Sequence, residues 1–535
     1  MAVGVLLRCW SLLGPFAVVD SDQAIVGLQA LHVWQREWLL VDWDNPRHGA
    51  LETYLTALAF GALGVSGLAL RLPPALFSLL LIPLFHALGR AAYSPRVGLW
   101  SAAFVAIPPP LLLRFGLFTG AGYVEVLAGI GLAASLALSL RAVGGSGELL
   151  KTGAIGLVLG ASIWTNQVAL PFAVVVSAAV VLRWLLWWRS GTRGIETFHR
   201  ALVLGLGYTL GLAPLVAYNV ANDWQLLTLL SQRRSGPGEV ASLVQPFVVT
   251  AWPTLWGLLP PTSHPKLFEA HLDAAWLREP VAATATAAAA LWLGGHWLLT
   301  RLTQRPTFRA ALADGLLIGG SALTVVAYLL NVESGLVATE PRYLVPVYAL
   351  IPVALAVYLG PDRAGSSAPS GWSSALDWRA ALLGTLLLCY LVFSLTLDRQ
   401  LYSVYAGPEG EIRLPPTTQA LRADLASHGV TAAYADYWIA YQLMFESREA
   451  VAVSVIDEQL EPGWNRYEPY AQRVAGAPRP AWIFAAGVPE ERRFAEWLSR
   501  HGIGSERREI GGFVVYGALA RPVRPTPGGP VAGPD

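Results

Sequence analysis

The stretch VVDSDQAIVGL, Val18 to Leu28, sets Asp20 and Asp22 directly behind an apolar N-terminal run. Carboxylates at the mouth of a membrane helix are costly and need a physical reason. The setting is plain from the rest of the chain. Its 535 residues are 54% hydrophobic and 14% charged, with a mean hydropathy of +0.47. Apolar runs repeatedly approach the roughly 20 residues that cross a hydrocarbon core. These features predict a polytopic α-helical membrane protein. A net charge of +1 gives no footprint for nucleic acid or another polyanion. Cys9 and Cys389 both lie in apolar runs, which argues against a disulfide framework or a cysteine-based metal site.

Apolar runs and basic loops together predict about eleven spans, near 3–19, 67–89, 97–117, 121–140, 152–168, 169–188, 201–220, 280–300, 312–331, 343–360 and 380–397. Arg90 and Arg96, Arg141 and Lys151, Arg183 to Arg200, Arg301 to Arg309, and Arg363 with Arg379 fall on one side. The positive-inside rule makes that side cytoplasmic and turns both aspartates outward. The first span is short and interrupted by Arg8, as it would be if translation began further upstream. A signal peptide is the rival for this segment, disfavoured because no A-x-A cleavage site follows.

Between Gln23 and Val65 two amphipathic helices are expected to lie in the outer interface, with Trp34 and Trp38 on the first and the turn Asp44-Asn45-Pro46 between them. The segment 219–280 reads as a second large outer loop, whose apolar piece 243–260 is either re-entrant or a pair of short spans. Beyond 397 the composition becomes that of a soluble protein. Helical and strand-like runs alternate through 398–520, which predicts a small extracytoplasmic α/β domain. The Pro/Gly-rich end, 521–535, reads as disordered.

The opening motif, the stretch LETYLTALAFGALGVSGLALRLPPALFSLL and the run EPRYLVPVYALIPVALA together resemble the C-type (GT-C) glycosyltransferases. The likeness is to the family 39-like branch that holds protein O-mannosyltransferases and the lipid A aminoarabinose transferase. It covers most of residues 15–360. The matching positions are Asp22-Gln23, Leu63-Gly64 and Arg71-Leu72-Pro73, and the match departs at Gln23, where the family usually carries Glu. Residues 1–397 are then the transmembrane catalytic domain, with the first outer loop at 20–66.

The resemblance implies transfer of a sugar from a polyprenyl-phosphate donor to a hydroxyl of an extracytoplasmic acceptor, such as a glycolipid, envelope polysaccharide or protein. One carboxylate takes the hydroxyl proton, and a single well-placed acid suffices. Asp22 is the favoured base and Asp20 the alternative; the ordinary reading of either is a helix N-cap. Glu125 stands where related enzymes carry an acid, beside Tyr123 and close to Gly120 and Gly122, and either supports the base or acceptor or simply reaches to water. Donor phosphate calls for arginine. Arg342 beside Tyr343 is the first choice, followed by Arg114, Arg233 with Arg234, and Arg47-His48, each of which could instead anchor to lipid headgroups.

Other chemistry is poorly supported. His264, Glu269, His271 and Asp273 match no metal signature, so no cofactor is expected. No phosphate-cradling G-x-x-x-x-G-K-[ST] run is present, which removes an ATP-driven machine. Tyr434, Asp436, Tyr437, Trp438 and Tyr441 suit either a sugar face or a half-buried strand docking on the membrane domain, and the second is favoured. The rival functions are a secondary transporter or lipid flippase and a membrane-anchored binding protein. Transporters place ionisable residues near the midplane of repeated, broken helices, whereas here they gather at outer helix ends.

Overall fold

In the computed structural model the described residues are 1–13, 19–142, 145–191, 194–232, 237–257, 307–331, 341–359, 378–397, 403–407, 410–413 and 417–533. Helix α1 (Ala2–Leu13) and α2 (Ser21–Trp34) are followed by an antiparallel pair, β1 (Val41–Asp42) and β2 (Asn45–Gly49). Then come α3 (Leu51–Leu63), α4 (Gly67–Ala92), α5 (Pro95–Ala106), α6 (Pro110–Phe115), α7 (Tyr123–Ser139), α8 (Ser146–Thr165), α9 (Leu170–Arg189) and α10 (Gly194–Ala221). Local sequence sets several starts. Ser66 and Ser94 are extended and accept from the N–H groups of Ala69 and Val97, at 3.2 and 3.3 Å, which satisfies donors the first turn leaves open.

Among the described residues four helices are long and apolar enough to cross a membrane: Gly67–Ala92, Gln167–Arg189, Gly194–Ala221 and Phe308–Leu329. The expected span 97–117 is broken into α5 and α6, because Pro108 to Pro110 offer no N–H to carry the helix through. The expected span 343–360 opens with a tight 3-10 turn, Arg342–Ala349, containing Pro346, before the helix Ile351–Leu359. The expected span 280–300 lies outside the described residues.

The α5–α6 break explains Arg8. The carbonyls of Val105 and Ala106 would be served by the N–H groups of residues 109 and 110, which are prolines. Arg8, 1% exposed, supplies the donors instead, at 3.0 and 3.2 Å. Its other bonds reach Ser78 Oγ (2.9 Å), the Ser78 carbonyl (3.3 Å) and the Gly4 carbonyl (3.1 Å). All five guanidinium N–H groups are thus matched by acceptors on α1, α4 and α5. At the opposite end of α7, Arg183 donates to the carbonyls of Ala137 and Leu138, both at 3.1 Å, while Arg183 and Arg200 flank the Trp187 ring at 5.0 and 5.1 Å. A charge carried on α9 thereby caps the C-terminus of α7.

The C-terminal part has hairpin β3 (Ser403–Gly407) and β4 (Gly410–Arg413), then β5 (Ala432–Asp436), β6 (Ala452–Ile456), β7 (Ala481–Ala485), β8 (Glu506–Ile510) and β9 (Phe513–Gly517). The sheet order is β6-β5-β7-β9-β8; β5 pairs parallel with β6 and β7, while β9 is antiparallel to β7 and β8. This is the expected kind of α/β unit. Residues 523–532, expected to be disordered, form a hairpin: β10 (Val523–Thr526) pairs with β11 (Gly529–Ala532) around a Gly528-Gly529 turn with positive φ, so glycine supplies the turn geometry.

Two expectations are corrected by how this unit docks. The run from Tyr434 to Tyr441 is not one strand; β5 ends at Asp436, whose carboxylate caps the helix Tyr437–Glu446 by accepting from the Trp438 N–H at 2.9 Å. Helix α2 is not interfacial. It is buried on nearly every side, and its Ala24, Ile25, Val26, Leu28 and Ala30 belong to the same apolar cluster as Leu443, Phe445, Val453 and Trp482 of the C-terminal unit. Gly27 makes the close approach possible, since a Cβ there would stand 2.4 Å from the Phe445 ring. Polar fasteners complete the joint. His32 Nδ1 lies 2.6 Å from Glu37 and Nε2 2.8 Å from Glu449, and Tyr470 donates to Glu449 at 2.7 Å. Burial opposes charge on His32, but the bonds to Glu449 and Glu37 outweigh it and raise its pKa.

Candidate active site

A cavity of about 560 Å³ opens where α2, the β1–β2 hairpin, the loop before α7, the start of α9, the helix Phe308–Leu329 and the C-terminal unit converge. Its polar lining holds Asp22, Asp42, Arg47, His48, Arg342 and Arg466, with Tyr123, Tyr343 and Trp464 beside them. Three guanidinium groups against two carboxylates leave the lining net positive, which suits an anion.

The two opening aspartates are separated by the start of α2. Asp20 is the N-cap, with φ −81° and ψ 176°, and accepts from the Gln23 N–H at 3.0 Å. Asp22 sits in the first helical turn, lines the cavity, and accepts from the Tyr437 hydroxyl at 2.7 Å. Capping therefore falls to Asp20, leaving Asp22 facing the space. Gln23 is buried and does not line the cavity, so the departure from the family pattern lies away from the candidate chemistry.

The remaining expected residues divide. Arg47, His48, Tyr123, Arg342 and Tyr343 line the cavity, while Arg114 and Glu125 do not. Glu125 is 5% exposed at the start of α7, and neither carboxylate oxygen has a hydrogen-bond partner among the described residues. Its burial rules out a side chain that simply reaches to water. Arg233, Arg234, His264, Glu269, His271 and Asp273 lie outside the described residues. Among the described residues no group of three or more His, Cys, Asp or Glu is arranged to hold a metal ion.

Several lining residues escaped the sequence reading. Asp42 is buried with Oδ2 3.7 Å from His48 Nδ1, and Asn45 contacts His48 at 3.1 Å and Arg47 at 3.3 Å. The hairpin thus presents a connected polar edge. Asn166 donates to the Ala121 carbonyl at 2.8 Å and holds the loop opposite. From the C-terminal unit, Trp464 is 53% exposed, stacks on Tyr437 (6.0 Å, 8°) and donates to Asp44 at 2.5 Å. Arg466 lies over the Trp464 ring at 4.8 Å and donates to the Trp43 carbonyl at 2.7 Å.

Glu52, on the first turn of α3, was also missed. One of its oxygens accepts from both Gly120 and Gly122 N–H at 2.9 Å, which fixes the loop that carries Tyr123. Gly122 is left-handed at φ +63°, a conformation glycine tolerates without strain. Burial pushes the Glu52 carboxyl up to about 7, against the pull of the two N–H bonds, and the nearby Asp42 charge adds to the rise. Between the ordinary value of 4.5 and about 7 the folded chain holds a proton that the unfolded chain has released. Stability from this group therefore declines as pH rises through that window. Glu52→Gln keeps an acceptor for both N–H groups and flattens that decline. Thermal midpoints of the two proteins between pH 5 and about 8 should converge at the acid end; parallel curves would refute the assignment.

No protein-family model and no curated protein sequence matches the chain. Among solved structures, the fold is similar to that of ArnT, the lipid A aminoarabinose transferase, from Cupriavidus metallidurans, determined with bound undecaprenyl phosphate. The identity is 14%, 97% of each chain is covered, and the TM-score is 0.59. Weaker likenesses reach the Archaeoglobus fulgidus oligosaccharyltransferase tethered to an acceptor peptide (13% identity, 96% of this chain and 73% of that one, TM-score 0.48) and the mycobacterial arabinofuranosyltransferase AftD (14%, 97% and 40%, 0.45). The chain has the GT-C fold.

Proposed function

We propose that the protein is a membrane glycosyltransferase that moves a sugar from a polyprenyl-phosphate carrier to an acceptor hydroxyl, with Asp22 as general base. The observation that carries the reading is one cavity lined together by Asp22, Arg47, His48, Arg342 and Tyr343. Proton acceptor and phosphate-binding cations are thereby brought to the same space. The fold shared with a protein crystallised on undecaprenyl phosphate supports it.

In this mechanism the acceptor O–H gives its proton to the Asp22 carboxylate as its oxygen bonds to the anomeric carbon. The bond from that carbon to the phosphate oxygen breaks, and polyprenyl phosphate leaves with the electron pair. Arg342 and Arg47 bind the phosphate and offset the charge that develops on it. The cavity is only part apolar, so an activated sugar can be oriented by Asn45, Asn166 and Tyr343 while its lipid extends toward the spans. We place the site and the 398–520 domain on the extracytoplasmic face of the cytoplasmic membrane, because the basic loops gather on the opposite side. Residues 1–397 form the catalytic part in this scheme.

The test is transfer by the purified protein from a radiolabelled polyprenyl-phosphate sugar to glycolipid, polysaccharide or protein acceptors. Label appearing on an acceptor hydroxyl supports the reading. Translocation of the intact labelled lipid across a proteoliposome bilayer without transfer would replace it with a flippase.

A further inference from the structure

The base and the phenol that meets it come from opposite ends of the chain. Tyr437 donates to Asp22 Oδ1 at 2.7 Å across a separation of 415 residues. The contact is built from both sides. Ser21, adjacent to Asp22, sends its hydroxyl to the carbonyls of Tyr437 and Trp438, at 2.7 and 2.8 Å, so the first turns of two helices are fastened together. Asp436 caps the second of these helices, and Trp464 stacks on the Tyr437 ring at the cavity wall.

We propose that Tyr437 is a positioning residue for the transferase reaction: its hydroxyl holds one oxygen of Asp22 and leaves the other turned to the cavity. The inference rests on the assignment of Asp22 as base. A carboxylate on an ordinary side chain samples several rotamers, and a fixed donor removes that freedom before the acceptor arrives. The charged and titratable groups around the phenol are Asp22, Arg466 and Tyr441. Burial first, and then the facing Asp22 charge, raise the Tyr437 pKa well above its usual value. The phenol therefore remains a donor throughout the working range. The C-terminal domain is, on this view, part of the active site through the residue that orients the base.

Tyr437→Phe deletes the hydroxyl and keeps the ring that stacks on Trp464. The expected result is a kcat lower by about tenfold or more, the scale of one hydrogen bond to a charged group, with KM for the donor changed less than about twofold. The acid limb of kcat/KM should move to higher pH, because the lost bond favours the ionised carboxylate. A merely structural role would not move that limb. Incorporating a fluorinated tyrosine at 437, which keeps the shape and donates more strongly, should move it the other way; this arm stands even if the Phe variant folds poorly. An unmoved limb and an unchanged kcat in both variants, with the unaltered protein active and Asp22→Asn inactive, would overturn the positioning role alone. Absence of transfer by the unaltered protein overturns the transferase reading and this inference together.

Discussion

Asp22→Asn lowers sugar transfer by about a hundredfold or more, the usual contribution of a general base, while Asp20→Asn leaves it nearly unchanged. The contrast follows from where α2 begins. An asparagine at 22 still offers an oxygen to the Tyr437 hydroxyl, so the local geometry persists and only basicity is lost. Asparagine at 20 caps a helix about as well as aspartate does, so the Gln23 N–H keeps its partner. Asp20→Ala, by contrast, should cost about 1 kcal/mol of stability with little effect on turnover once folded. Rates measured with the labelled donor at saturating acceptor decide the matter. Retained transfer in Asp22→Asn, or its loss in Asp20→Asn, would reverse the assignment.

Arg8→Ala destabilises the membrane part by about 3 kcal/mol or more, on the scale of several buried groups losing their partners. The carbonyls of Val105 and Ala106 have no helical donor to return to, because the chain continues into Pro108, Pro109 and Pro110. Ser78 loses partners at both its hydroxyl and its carbonyl. Arg8→Lys recovers only part of the loss, since an ammonium offers three donors where the guanidinium offers five. Thermal unfolding in detergent should rank the proteins as unaltered, Lys, then Ala. An unchanged midpoint for Arg8→Ala would show that the break between α5 and α6 is held by other means.

The α-helical membrane part and the C-terminal α/β unit were readable in the sequence because each has a local signal, and residues 20–22 stood out in it as candidates. Apolar run length gives spans, alternating patterns give strands, and carboxylates after an apolar run stand out by cost. Asp20 and Asp22 could not be ranked locally, since both suit a helix start. Successive helical positions turn by about 100°, so two residues are enough to send one side chain to the cap and the other to the cavity. Arg8 looked like an interruption because its acceptors, on α4 and α5, are 70 to 98 positions away. Trp464, Arg466 and Tyr437 join the site only through a fold that returns the end of the chain to its beginning. Glu52 carries no local signal at the start of α3, because its partners Gly120 and Gly122 are about 70 positions away. Helix α2 reads as interfacial from Trp34 and the nearby Trp38; the C-terminal unit that covers it leaves no mark on its own sequence.

The apolar cluster shared by α2 and the C-terminal unit also bears on when the protein becomes competent during synthesis. The first loop leaves the ribosome early, yet the residues that enclose it follow more than 400 positions later. Such long-range contacts form slowly and only after their loop-closure entropy is met. A nascent chain that has already threaded its spans still carries an open, unassembled centre. On the proposed function, the geometry around Asp22 is completed only by the C-terminal unit, so a chain synthesised no further than its spans would lie in the bilayer without the means to use a lipid-linked donor.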